Sequence, residues 1–163
     1  MDGQIAMEKV KTISQLKKLK GKKVGLVTGV FDILHFEHVK FLEFAKKKVD
    51  ILIVGLESDE NVKIFKGERR PIFGFKERAL VLSALECVDF IFKISKIKGG
   101  MDIFYESILE EVAPDILFSA VRADSSCKEK KKKAGELKIK FVAYNRRVSA
   151  SSSATISLLL KKY

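Results

Sequence analysis

Val27-Thr28-Gly29-Val30-Phe31-Asp32-Ile33-Leu34-His35-Phe36-Glu37-His38 is the stretch whose reading decides the fold. It follows an apolar run from Val24 to Val27 and leads into a helical pattern, so it reads as a strand, a tight loop and a helix start. Gly29 suits a backbone that turns closely at the strand's carboxyl end. His35 and His38 are three residues apart, which places both rings on one face in a helix's first turn. A helix start also presents unpaired N–H groups and a partial positive charge, a natural seat for phosphate. Together these are the parts of a phosphate-chemistry site.

The surrounding chain supports a single domain over residues 1–163, with a lead-in helix in 1–21 and a core in 22–163. Apolar residues make up 47%, and twelve Phe supply aromatic volume in the absence of Trp. No stretch approaches the ~20 apolar residues of a membrane span, and the first ten residues lack a signal-peptide core. A cytoplasmic protein without membrane association is therefore expected. Cys87 and Cys127 have no C-x-x-C spacing and no nearby His, so both read as free thiols rather than zinc ligands.

The formal charge is +11, which attracts polyanions or phosphorylated ligands. Lys128 and Lys130 to Lys133 form the densest cluster and read as a solvated helix face. No aromatic residue interleaves them, so the stacking platform of a single-strand binder is missing and nucleic acid is not expected as a partner.

Taken in order, Ile13, Leu16 and Leu19 predict a short amphipathic helix over Thr12 to Lys20. Buried strands are predicted at Lys23 to Thr28 and Asp50 to Leu56, with a helix from Phe36 to Lys48 between them. Gly67 and Pro71 mark a loop, and helix resumes near Phe75. Further strands are expected at Asp89 to Phe92, Asp115 to Phe118 and Ile139 to Tyr144. Helices are expected over Ile103 to Val112, Ser126 to Ala134, and after the serine run Ser151-Ser152-Ser153. Ligands in such a sheet gather at the carboxyl ends of the strands.

Gly29, Phe31, Asp32, His35 and His38 resemble the signature G-x-F-D-x-x-H-x-G-H of the cytidylyltransferase-like nucleotidyltransferases, with Glu37 where that signature has glycine. Glu57 to Asp89 resembles the adenylyltransferase domain of ADP-heptose synthase, through Lys66-Gly67, Arg70-Pro71, Arg78 and Val81 to Asp89. The later Ser151-Ser152-Ser153 is similar to the family's triphosphate-contacting serine motif, and Arg146 falls at a phosphate-contacting arginine. After the fourth strand the family carries glycine and acidic residues; here only Asp124 stands in, at a shifted register.

The resemblance implies an α/β fold, a single Rossmann-like domain with a five-stranded parallel sheet. It implies transfer of a nucleoside monophosphate from ATP, or else CTP, to a small phosphorylated acceptor, with pyrophosphate leaving and Mg²⁺ accompanying the triphosphate. The acceptor is left open among a sugar phosphate, glycerol phosphate and a flavin nucleotide. By the same resemblance His35, His38, Lys66 and Arg78 are the catalytic candidates. Thr28, Gly29, Val30, Phe31, both histidines, Arg146 and the three serines would bind nucleotide, and Asp32 and Arg70 the acceptor. No protein metal site is implied, and a homodimer is compatible with the family. The alternative is a catalytically impaired descendant that binds a nucleotide, a phosphometabolite or a protein, as Glu37 prompts.

Overall fold

The computed structural model describes residues 8–17, 19, 21–95, 101–121, 124–145 and 156–157. Apolar runs become the parallel strands β1 (Val24–Gly29), β2 (Ile51–Glu57), β3 (Phe90–Ile94), β4 (Ile116–Ala120) and β5 (Lys140–Tyr144). Their order in the sheet is β3-β2-β1-β4-β5. Leu26 of β1 pairs with Ile53 on one side and Leu117 on the other. A strand flanked on both edges and covered on both faces has no polar side, which is why β1 shows no alternation.

The helices are α1 (Phe36–Lys46), α2 (Asp59–Lys66), α3 (Phe75–Ser83), α4 (Met101–Val112) and α5 (Cys127–Glu136). Successive strand residues face opposite ways, and the core divides accordingly. Val27, Leu52 and Val54 pack with Leu42 of α1 and with Ala79 and Leu82 of α3. Leu26, Ile53 and Leu117 pack with Leu109 of α4 and Ala134 of α5. Each fully buried leucine of this kind contributes about 1.5–3 kcal/mol. Among the described residues no helix is long and apolar enough to cross a membrane.

Three expectations need adjustment, and a fourth falls outside the described residues. The predicted lead-in helix is, among the described residues, only a 3-10 turn, Ile13–Leu16. A three-residue spacing suits that tighter helix better than an α-helix. Helix α2 occupies a stretch before the 67–71 loop for which the sequence pattern predicts no element. Ser58 caps it by accepting from the Asn61 amide at 3.2 Å, and Gly67 ends it at φ +92°. The lysine-rich helix is not solvated throughout, because Ser126, Lys130 and Ala134 fall on its inward face and are buried. The closing helix after the serine run lies outside the described residues, apart from Ile156 and Ser157.

The chain leaves β1 toward β2 on one side, while β4 lies on the other. This is a topological switch point, where loops at the carboxyl edge diverge and leave a crevice.

Candidate functional site

A cavity of about 320 Å³ fills that crevice, lined from the ends of β1 and β2, from α2 and α4, and from the β4–α5 connection. Thr28, Gly29, Val30, Phe31 and Asp32 all border it.

The Gly29 and Phe31 positions explain each other. Phe31 has φ +46°, in the left-handed region, and this turns its ring back over the strand end. A Cβ on Gly29 would lie 2.9 Å from the Phe31 ring. The ring also meets His38 edge-on, with centroids 5.2 Å apart. Gly29→Ala should therefore displace Phe31 and cost about 1–3 kcal/mol as an overpacked contact. A shifted urea midpoint measures it; an unchanged midpoint would show that the ring yields without strain.

His38 lines the cavity, and His35 stacks against it with ring centroids 3.8 Å apart. The His35 backbone N–H points to His38 Nδ1 at 3.4 Å. A nitrogen that accepts does not carry the proton, so neutral His38 keeps its hydrogen on Nε2 as a donor. Burial, with positive charge at His35 and Lys66, lowers the His38 pKa to about 4. Burial also lowers that of His35, against the opposing pull of Glu37. Glu37 itself is buried, with its carboxylate 4.0 Å from Lys40 Nζ, and it is not among the residues lining the cavity.

Lys66 and Arg70 line the cavity near this pair. Burial and the neighbouring Arg70 charge lower the Lys66 pKa, while Asp32 opposes them. Asp32, expected at the acceptor, is committed to the protein. Its carboxylate accepts from Ile72 N at 2.9 Å, Phe73 N at 3.0 Å and Arg70 Nε at 2.7 Å. Burial pushes this carboxyl up, but the Phe73 and Ile72 amides and Arg70 outweigh it and hold it below its ordinary value. Asp32 thus fixes the 70–74 loop and aims Arg70.

Arg78 corrects the sequence reading. It was expected to neutralise phosphate charge, yet its side chain is fully buried and is not part of the cavity lining. Its guanidinium donates to the carbonyls of Phe73, Val30 and Glu57 at 2.9, 2.6 and 2.8 Å, and to Asp59 Oδ1 at 2.7 Å. It clamps together the loops after β1 and β2 and the loop before α3.

The remaining wall was less legible. Glu57 accepts from Asn61 Nδ2 at 2.8 Å and from the Tyr105 hydroxyl at 3.2 Å. Asp124 accepts from Ser119 Oγ at 2.7 Å, Ser126 N at 3.0 Å and Lys130 Nζ at 2.5 Å. Burial raises the Glu57 pKa, against Asn61, Tyr105 and Lys130. Burial, with the charges of Glu57 and Asp124, raises that of Tyr105. Arg146 and Ser151, Ser152 and Ser153 lie outside the described residues. Cys87 and Cys127 are free thiols away from the cavity lining. No group of three or more His, Cys, Asp or Glu suited to a metal ion occurs among the described residues.

A family model described as cytidylyltransferase-like matches residues 26–159. The bifunctional protein HldE of Sulfurimonas denitrificans is 43% identical over 110 residues, 68% of this chain and 22% of that protein. HldE of Geobacter metallireducens is 46% identical over 79 residues, 48% of this chain and 16% of that protein. The chain therefore spans 16–22% of the length of these relatives. The lipopolysaccharide core biosynthesis protein from Thermoplasma volcanium is similar with TM-score 0.64 at 30% identity, covering 78% of this chain and 100% of that one. A pantoate-beta-alanine ligase from Francisella tularensis has TM-score 0.63 at 16% identity, covering 90% of this chain and 72% of that one, a likeness of fold alone.

Proposed function

Because the chain belongs to the cytidylyltransferase-like family, we propose that it transfers a nucleoside monophosphate from a triphosphate to a small phosphorylated acceptor. ATP is favoured over CTP and a sugar phosphate over other acceptors, on the resemblance of Glu57 to Asp89 to the adenylyltransferase domain of ADP-heptose synthase. The observation that carries the reading is His38 held neutral as an Nε2–H donor in a cavity it shares with Lys66 and Arg70.

In this mechanism an oxygen of the acceptor phosphate attacks the α-phosphorus, and the bond from that phosphorus to the bridging oxygen breaks. Pyrophosphate leaves with the electron pair, and no enzyme group is bonded to the nucleotide. Alignment and charge stabilisation are the main demands of such chemistry. His38 donates to a phosphate oxygen, while His35, at the N-cap position of α1, braces its ring. Lys66 supplies a mobile point charge and Arg70 a planar fork. Arg146 and the three serines would complete the triphosphate contacts. Mg²⁺ is taken to arrive with the triphosphate, whose oxygens and water serve as ligands.

The test is calorimetric titration with Mg·ATP and Mg·CTP, followed by pyrophosphate release in the presence of a sugar 1-phosphate. Saturable Mg·ATP binding with acceptor-dependent release supports the reading; the absence of both overturns it. The second reading, a binding-only descendant, draws on Glu37 at the motif glycine. Glu37 does not line the cavity and reaches it only through the charge it shows His35, so Glu37→Gly should change Mg·ATP affinity by less than about threefold. A gain above tenfold would instead mean that this carboxylate obstructs the site.

A further inference from the structure

Two polar clusters share the cavity, and the phosphate chemistry uses only one. Glu57, Tyr105, Asp124 and Lys130 form the other, contributed by the end of β2, by α4, and by the β4–α5 connection with its helix. Lys130 is 3% exposed, Glu57 3% and Tyr105 8%. Burying a lysine and a carboxylate beside a half-buried second one is costly, and a well-packed apolar cluster would serve stability as well or better. Their position on a cavity wall at the sheet's carboxyl edge points instead to a ligand.

The chemistry of the cluster selects that ligand. Glu57 and Asp124 repel phosphate, so this wall is not a further anion seat. An apolar group would leave the carboxylates desolvated without replacement partners. Carboxylate oxygens with acceptor capacity left, beside a lysine ammonium and a phenol, match groups that donate and accept together. Adjacent hydroxyls do both.

We propose that Glu57, braced by Tyr105 and flanked by the Asp124–Lys130 ion pair, reads vicinal hydroxyls of a phosphorylated ligand and is a specificity-determining residue of this site. The proposal rests on the nucleotidyl-transfer reading for the phosphate end. Two sources carry the chemistry, the sugar of the acceptor and the ribose of the nucleotide. Asp124 and Lys130 act as positioning residues: together with Ser119 and Ser126 they set the course of the β4–α5 connection.

The experiment titrates the full chain with two ligand pairs, glucose 1-phosphate against methyl phosphate, and Mg·ATP against Mg·2′,3′-dideoxy-ATP. At least one pair should show about a tenfold preference for the hydroxyl-bearing member, the effect of hydrogen bonds to a charged group. Glu57→Ala should reduce that preference below about threefold, with the hydroxyl-free member bound within twofold of before. The pair that responds identifies the source. A wild-type chain with no preference, a preference that survives Glu57→Ala, or equal weakening of both members overturns the proposal. Should Glu57→Ala not fold, Tyr105→Phe decides: a preference lowered about threefold supports it, and an unchanged one overturns it. Loss of the transfer reading shows separately, as failure of Mg·ATP binding and pyrophosphate release, because glucose 1-phosphate reports on the hydroxyl wall without nucleotide.

Discussion

Arg78→Met should lower the unfolding free energy by about 3–5 kcal/mol, the loss expected when a buried, fully engaged charge is removed. Methionine fills much of the volume but donates nothing. The carbonyls of Val30 and Glu57 then lose a buried donor, and Asp59 loses its ion pair. Arg78→Lys should rescue little, since a single ammonium cannot span acceptors contributed by separate loops. Urea unfolding measures the effect through the midpoint, with the slope unchanged. A loss below about 1 kcal/mol would be the value of an ordinary exposed cation, and would remove the clamp role.

His38→Ala should reduce kcat/KM for acceptor-dependent pyrophosphate release by about 10²–10³-fold, the usual cost of losing a preorganised donor at developing charge. His38→Gln, which keeps an N–H, should lose less. The same residue gives a pH signature in stability. Its pKa falls from 6.5 to about 4 on folding, so between these values the unfolded chain binds more protons and stability rises with pH. The advantage of neutral His38 is complete above pH 6.5 and is lost as pH falls toward 4, amounting to about 3 kcal/mol. Subtracting the His38→Gln stability curve from that of the unaltered protein isolates it. A flat difference across that window would mean that His38 is hydrated and protonates normally.

Much of this was legible in the sequence because it is local. The strand, loop and helix around Gly29 follow from neighbours in the chain, and the buried strands follow from uninterrupted apolar runs. Arg78 was misjudged because its role depends on carbonyls 48 and 21 residues away, which no local pattern displays. Lys130 was hidden for a related reason. In sequence it is one lysine in a run, and only the turn of α5 and the position of Asp124 separate it from exposed neighbours such as Lys131 and Lys132. Helix α2 has its cap, Ser58, acidic first-turn residues and Gly67 at its end, but at eight residues it is too short for its periodicity to stand out in the sequence.

Asp32 has a further consequence for how such a site can diversify. By holding the 70–74 loop with its own carboxylate, it makes the motif loop and its cations one self-supporting assembly. The opposite wall is tethered independently, through Asp124 and Lys130. A chain built in these two parts can exchange one ligand for another by altering the ends of β2 and β4, while the machinery that handles phosphorus is inherited intact.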